Sequence, residues 1–218
     1  MVTVDIISDV MCPWCYIGKR RLEQASALVG DTRLDIRWHP YQLDPTIPPG
    51  GRDRKEYVIG KFGSLERAAE IYSRVEAAGE EVGIDFNYSA IKVSPNTFDA
   101  HRLIAWAGEE GRQDEMVERL FQLYFLEGAN LTDHAVLAGA AADAGLDGEA
   151  VRERLAGDDG RQDIRARVEH AYRMGISGVP SFIIAGRYIV SGAQTPEVLA
   201  SAITQAAEAA AAEPVPAG

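Results

Sequence analysis

The stretch SDVMCPWCYIGKRRLEQ, residues 8–24, contains Cys12 and Cys15, the only two cysteines among the 218 residues of the chain. A short β-branched run over residues 4–7 precedes it, which is typical of a buried strand. From Pro13 onward the apolar residues recur with the helical period until a glycine interrupts them. The sequence therefore predicts a strand that leads into a helix, with both thiols at the junction.

The spacing of the two cysteines favours redox chemistry. Residues at i and i+3 lie on one face of a helix, and Pro13 suits the first helical position because an N–H there would have no partner. Cys12 is then the N-cap, where free backbone N–H groups and the helix dipole favour thiolate over thiol. Cys15, one turn further in, is more shielded and attacks a mixed disulfide formed at Cys12. We therefore predict Cys12 as the nucleophile and Cys15 as the resolving thiol.

A C-x-x-C pair has two other uses that must be weighed. A zinc site needs four ligands, and the histidines show no paired spacing: His39, His101, His134 and His170. The thiols could instead be inert core residues, although a strand followed by C-P-W-C and a helix is more typical of a reactive pair. The prediction therefore includes no metal site and no cofactor.

The rest of the chain shows strand patterns only near its ends. Residues 34–39 alternate apolar and polar side chains, which predicts a second strand, and Pro40 confines that strand to an edge or a bulge. Residues 182–190 predict a hairpin, and a last helix begins at about Thr195 and runs toward a frayed tail, EPVPAG. Between them, residues 53–175 have helical periodicity almost throughout. Predicted N-caps in that segment are Ser64, Asn96, Thr132 and Asp147, and predicted C-terminal glycines are Gly145, Gly157 and Gly175.

This arrangement predicts one sheet assembled from both ends of the chain. Neither end has enough strands to form a stable sheet alone, so the ends are expected to pair with each other. We predict a discontinuous domain of residues 1–50 and 176–212. A helical domain of residues 53–175 is inserted into it.

Composition argues against several classes of function. A net charge of −11, from 33 acidic and 22 basic residues, argues against a nucleic-acid partner. No apolar run approaches the ~18–20 residues that cross a bilayer, so no membrane partner is predicted. The start, MVTVDIISD, lacks the basic region and long apolar stretch of a secretory signal, and a cytoplasmic location is expected. In that reducing compartment, paired cysteines more often serve redox chemistry than a structural disulfide.

Four stretches of the chain together resemble the DsbA-like branch of the thioredoxin-fold superfamily. They are SDVMCPWCYIGK (8–19), SPNTFDAHRL (94–103), LFQLYFLEGANLTDHAVL (120–137) and SGVPSFII (177–184). The resemblance extends over about residues 2–205. Within that branch, the chain more specifically resembles the FrnE-like members. This resemblance implies an α/β thioredoxin fold with a large all-helical insertion between the second and third strands.

The same resemblance implies a substrate-binding surface beside the cysteines. The peptide bond before Pro180 would be cis and would face the Cys12 sulfur, and the backbone of Val179 would offer hydrogen bonds to an extended substrate. From the residues alone, a proline entering a strand is equally well a turn or edge device.

Four further residues would border the substrate. Pro13 and Trp14 lie between the cysteines, and the resemblance adds Asn96 and His101. On physical grounds Trp14 is equally well a packing residue against the insertion, Asn96 a helix N-cap and His101 a residue of a helix face.

The complete C-x-x-C pair predicts a thiol–disulfide oxidoreductase that acts on a protein or a low-molecular-weight thiol or disulfide. The resemblance leaves two alternatives, a glutathione-dependent isomerase of the 2-hydroxychromene-2-carboxylate isomerase type and an accessory enzyme of aromatic polyketide maturation. A non-catalytic binding module is a third class. An apolar face of the last helix, or of the helix around Leu120, could support a homodimer, although such faces are more often core.

Overall fold

The computed structural model describes residues 1–212, and the predicted tail EPVPAG lies outside the described residues. The elements follow in chain order: β1 (Val2–Ser8), α1 (Pro13–Leu28), β2 (Leu34–Pro40), β3 (Arg52–Asp53), α2 (Arg54–Phe62), α3 (Leu65–Glu80), β4 (Val93–Ser94), α4 (Phe98–Glu109), α5 (Gln113–Phe125), α6 (His134–Asp143), α7 (Gly148–Ala156), α8 (Arg161–Arg173), β5 (Ser181–Ile184), β6 (Tyr188–Ser191) and α9 (Pro196–Ala212). Within residues 1–212, no helix is both long and apolar enough to span a bilayer.

The two ends of the chain form one four-stranded sheet in the order β2-β1-β5-β6. β1 runs parallel to β2, and it runs antiparallel to β5 with Val4 opposite Ile184. β5 and β6 form the predicted hairpin. β2 is an edge strand that ends at Pro40. Proline has no N–H to donate, and at an edge position no hydrogen bond to a neighbouring strand is lost. The predicted pairing of the chain ends is therefore confirmed.

Helices cover both faces of this sheet. Alternate side chains of a strand point to opposite faces, and Val4 and Ile6 of β1 are completely buried in a core cluster shared with Leu22 of α1 and Ile203 of α9. Ile7 faces the other way and packs with Ala171 of α8 in a separate small cluster. These layers confirm the predicted α/β thioredoxin fold with a helical insertion between the second and third strands of the sheet.

The inserted segment, β3 to α8, is not entirely helical. Residues 52–53 pair antiparallel with residues 93–94 as the short strands β3 and β4, which helical periodicity did not predict because each strand has only two residues. The predicted boundaries between a discontinuous domain and a helical domain stay a prediction.

Two of the four predicted helix N-caps are wrong by one residue. Ser64 and Asp147 do cap α3 and α7, but α4 begins after Thr97 and α6 after Asp133. Asn96 instead accepts the backbone N–H of Phe98 at 3.0 Å, a local turn that precedes the helix. In both cases two adjacent residues are suitable caps, and the local sequence does not decide between them.

Arg102 of α4 is completely buried and fixes the end of α7. Its guanidinium reaches carbonyl oxygens in the last turn of that helix and just beyond its end, together with one carboxylate of its own helix. The acceptors are the carbonyls of Arg154, Leu155, Gly157 and Asp159 and the carboxylate of Asp99, at 2.7–3.2 Å.

Candidate active site

Cys12 lies at the start of α1, as predicted. It is the N-cap residue in an extended conformation, and Pro13 is the first helical residue. Its backbone N–H donates to the carbonyl of Asp9 at 3.0 Å, which holds the turn between β1 and α1. The side chain is 5% exposed, and the Sγ–H donates to the carbonyl oxygen of Val179 at 3.6 Å. The Cys12 sulfur therefore lies between the N-terminus of α1 and the residue pair that precedes β5, although Cys12 and Val179 are 167 residues apart in the chain.

Cys15 lies one turn inside the same helix and is 1% exposed. Burial, followed by the hydrogen bond and charge of Cys12, raises the pKa of Cys15 well above the usual thiol range. Both cysteines are unbonded thiols. The two sulfurs therefore have different environments, one at the helix end and one enclosed by the core.

The peptide bond between Val179 and Pro180 is cis. Pro180 is buried where β5 begins, and its ring lies against α1 at Gly18. A Cβ atom at Gly18 would lie 2.9 Å from Cγ of Pro180 and 3.2 Å from the Phe182 ring. The absence of a side chain at position 18 therefore allows α1 to approach the Pro180 segment.

Substitution of Gly18 by alanine is expected to destabilise the fold by about 1–3 kcal/mol, because the new methyl group must displace a rigid proline ring. Chemical denaturation of wild type and variant measures the effect. Gly139, also in a helix, has open space around its Cα, and its replacement by alanine should stabilise slightly through helix propensity. Equal effects of the two substitutions would contradict the close approach at Gly18.

The other sequence-predicted site residues lie in different environments. Trp14 is 38% exposed, and Pro13 is half-buried. Asn96 uses both side-chain polar atoms within the protein, because its Nδ2 donates to the carbonyl of Ile47 at 2.6 Å and its Oδ1 accepts from Gln42 and Phe98. A substrate contact of Asn96 stays a prediction.

His101 is 3% exposed, and its ring contacts Tyr41 and Asp9. Its Nε2 lies 2.8 Å from the carbonyl oxygen of Tyr41 and 3.5 Å from Oδ1 of Asp9. Because a carbonyl can only accept, Nε2 carries a hydrogen and donates to Tyr41. Any direct contact of His101 with substrate stays a prediction.

Asp9 and Tyr41 are site residues that the sequence analysis missed. Asp9 is completely buried directly before the C-x-x-C turn, and its Oδ2 accepts the backbone N–H of Leu43 at 2.7 Å. Burial, followed by the Asp9 charge, raises the pKa of Tyr41. Tyr41 packs with Ile176 and Val179 in the small cluster beside the sulfur. The position of Asp9 between strand and cysteines was visible in the sequence, but its burial was not.

A family model described as the DSBA-like thioredoxin domain matches residues 3–204. The chain belongs to this family. Among solved structures, a probable DsbA oxidoreductase from Streptomyces coelicolor is 31% identical, with a TM-score of 0.89, and the match covers 100% of this chain and 93% of that one. The predicted placement in the FrnE-like branch of the family stays a prediction.

Two further proteins are similar to this chain, one in sequence and one in fold. The uncharacterized protein YwbO of Bacillus subtilis is 27% identical over 208 residues, which cover 93% of this chain and 96% of YwbO. A solved 2-hydroxychromene-2-carboxylate isomerase is 17% identical with a TM-score of 0.72, and the match covers 96% of this chain and 98% of the isomerase. At that identity the similarity concerns the fold alone.

Proposed function

We propose that this DsbA-like protein is a thiol–disulfide oxidoreductase in which Cys12 and Cys15 alternate between dithiol and disulfide. One observation carries the proposal: the Cys12 sulfur lies at the N-terminus of α1, 3.6 Å from the Val179 carbonyl, while Cys15 lies buried one turn behind it. Family membership supports the same chemistry.

In the reductive direction, the Cys12 thiolate attacks one sulfur of a substrate disulfide. A mixed disulfide forms at Cys12, and the other half of the substrate leaves as a thiolate. Cys15 then loses its proton and attacks the Cys12 sulfur, which releases the second thiolate and closes the Cys12–Cys15 disulfide. Two electrons pass to the substrate, and the oxidative direction is the exact reverse of these steps.

The segment around Pro180 is the proposed contact surface for the substrate, which is a protein or a small thiol or disulfide. The Val179 carbonyl, already within reach of the Cys12 sulfur, can accept a hydrogen bond from an extended substrate. Trp14 and Pro13 would border the reacting sulfur on the helix side, where Trp14 offers an exposed aromatic surface.

Single turnover of the reduced protein with 2-hydroxyethyl disulfide tests this proposal. The protein is expected to lose two hydrogen atoms in intact mass and both titratable thiols, and peptide mapping should find a Cys12–Cys15 linkage. Protein alkylated beforehand is the control. A glutathione-dependent isomerase would instead turn over 2-hydroxychromene-2-carboxylate with both thiols still reduced, and that outcome would contradict the redox proposal.

A further inference from the structure

Two clefts with charged walls lie in the inserted segment or beside it. Arg54 and Glu76 line one of them, which has a volume of about 450 Å³ and lies between α2 and α3. The other, of about 330 Å³, lies between the loop after β2 and the helices α4 and α8. Gln42, Arg161 and Arg165 are among its walls, and we refer to it as the Arg161–Arg165 cleft. Direct contacts connect this second cleft to the cysteine site.

A short series of contacts joins Cys12 to the cleft. The carbonyl oxygen of Val179 lies 3.6 Å from the Cys12 sulfur. Tyr41 packs with Val179 in the small cluster on the α8 side of the sheet, and its ring lies 5.0 Å from the ring of Tyr172. The Tyr172 hydroxyl donates to the carbonyl of Gln42 at 2.6 Å, and Gln42 lines the cleft. Because Tyr172 is 38% exposed, a substrate that reaches Cys12 can lie across its ring toward the cleft.

Arg165 carries a positive charge that has no counter-charge. Across residues 1–212, no carboxylate lies within ion-pair distance of its guanidinium, which lies over the Phe98 ring at 5.9 Å. Arg161, one turn earlier on the same face of α8, lies over the same ring at 5.8 Å. The carboxylates near Arg161 are Asp158 at 3.2 Å, which is fully exposed, and Asp99 at 3.8 Å. Two guanidinium groups therefore meet at one aromatic ring with an incomplete set of counter-charges.

Carboxylates in and near the cleft are engaged by other partners. Asp99 is bound by Arg102 at 2.9 Å and by His134 at 3.0 Å. Asp44, in the loop after β2, accepts two hydrogen bonds within its own turn, from groups two residues further on. A carboxylate whose oxygens already accept hydrogen bonds competes weakly for a further donor. The described carboxylates therefore leave the Arg165 guanidinium available to an anion from outside the protein.

We propose that Arg161 and Arg165 bind an acidic side chain of the disulfide substrate, which is an extended peptide segment of a protein. The segment reacts at Cys12, crosses the ring of Tyr172 and brings its carboxylate to the two guanidinium groups. Arginine suits this role because its planar group donates two parallel hydrogen bonds to one carboxylate. The substrate of the Cys12–Cys15 pair is therefore a protein disulfide with an acidic residue near its cysteine.

The length of the contact path favours a peptide over a small disulfide. Arg165 and Tyr172 are seven positions apart on α8, which is about 10 Å along the helix axis. The rings of Tyr172 and Tyr41 are 5.0 Å apart, so the path from Arg165 to Tyr41 is about 10–15 Å long. An extended chain rises about 3.3 Å per residue, so about three to five residues cover this distance. An acidic residue about four positions from the reacting cysteine is therefore expected to reach the cleft.

The inference rests on the proposed oxidoreductase function and deepens it by naming the substrate class. The probes are three nonapeptides, acetylated and amidated at their ends, whose central cysteine is joined by a disulfide to 2-mercaptoethanol. Both terminal residues are Glu, Gln or Lys, and the other positions are alanine and serine. Cys12 attacks the peptide sulfur, and 2-mercaptoethanol leaves as a thiolate. Attack of Cys15 on the Cys12 sulfur then releases the peptide thiolate and closes the Cys12–Cys15 disulfide.

Single-turnover rates of the reduced full-length protein are measured with each peptide. Wild type is expected to react with the Glu peptide about 3-fold to 10-fold faster than with the Gln peptide at low ionic strength, and most slowly with the Lys peptide. The ratio of the Glu rate to the Gln rate within one protein cancels any effect of a substitution on the cysteines. Arg165→Gln should lower this ratio toward 1, and Arg165→Lys should keep most of it. At 1 M salt the preference should largely disappear, because the Debye length falls to about 3 Å.

Arg173→Gln is the matched control. Arg173 is exposed on the same helix, lines no part of the cleft and pairs with Glu169 at 3.6 Å. Its replacement removes the same charge from α8 as Arg165→Gln does. The Glu-to-Gln rate ratio of Arg173→Gln should equal that of wild type, because the carboxylate is bound in the cleft and is not attracted by the charge of the whole helix.

Three outcomes would overturn the inference without touching the redox proposal. In the first, wild type reacts equally with the three peptides or prefers the Lys peptide. In the second, Arg165→Gln keeps the wild-type ratio, and in the third, Arg165→Gln and Arg173→Gln lower it equally. Reduction of 2-hydroxyethyl disulfide but of none of the peptides would also exclude a peptide substrate. If the wild-type protein reduced neither, the oxidoreductase function itself would fail.

Discussion

Replacement of Cys12 by serine is expected to reduce disulfide exchange to the rate measured without protein. The hydroxyl of serine is not ionised at neutral pH and is a poor nucleophile toward a disulfide, so the first step has no attacking group. The same single-turnover assay with 2-hydroxyethyl disulfide measures the loss. Cys12 is buried, 5% exposed, but serine is nearly isosteric with cysteine, so the fold should be kept. A thermal melt checks this.

Replacement of Cys15 by serine is expected to stop the same reaction half-way. Cys12 can still attack, but no second thiol is available to displace what it captures. The protein should accumulate an adduct of half the substrate at Cys12, visible in intact mass and absent from the Cys12→Ser/Cys15→Ser double variant. A Cys15→Ser protein that released both substrate thiols at the wild-type rate would show that Cys15 is not the resolving thiol.

The largest loss of stability is expected from Arg102→Met. The guanidinium donates to four carbonyl oxygens around the end of α7, and methionine fills a similar volume without any donor. The buried carbonyl oxygens lose these donors, and Asp99 is left with His134 and Arg161 as partners, so the substitution should cost about 3–5 kcal/mol. Urea denaturation, with the midpoint and slope fitted together, measures the change.

Arg154→Met is the matched control for this substitution. The guanidinium groups of Arg102 and Arg154 lie over the same Trp106 ring, at 5.0 Å and 4.3 Å, but the Arg154 side chain is 37% exposed and pairs only with carboxylates at the surface. Loss of such pairs should cost about 0–1 kcal/mol. Similar losses for both variants would mean that stacking on Trp106, rather than the hydrogen bonds to α7, is what stabilises this region.

The ends of the chain were predictable because their signals are local. The alternation in β2, the Pro13 start of α1 and the hairpin of β5 and β6 each depend on neighbours a few residues away. The same holds for Cys12 as an N-cap, which needs only the strand, the proline and the helical spacing that follows. The one-residue errors at Asn96 and Thr132 arose where Thr97 and Asp133 were equally suitable caps.

The contacts around the site were not predictable, because each joins distant segments. Asp9 meets His101 across 92 positions of sequence, and Arg54 and Glu76 come from separate helices to line one cleft. The burial of polar side chains could not be predicted from the sequence either. A polar residue such as Asp9 or Arg102 is usually exposed, and only its neighbours in the fold provide the donors and acceptors that allow it to be enclosed.

By itself, the sequence determined that this protein places two thiols one helical turn apart, behind a buried strand, because that geometry follows from backbone periodicity. Only the tertiary structure decided which groups surround the Cys12 sulfur. The parallel and antiparallel pairing of β1 with β2 and β5 brings Val179 to Cys12, and the packing of α2 and α3 brings Arg54 and Glu76 to one cleft. Such long-range contacts depend on how complete faces of helices and strands pack, and no short stretch of the chain encodes them.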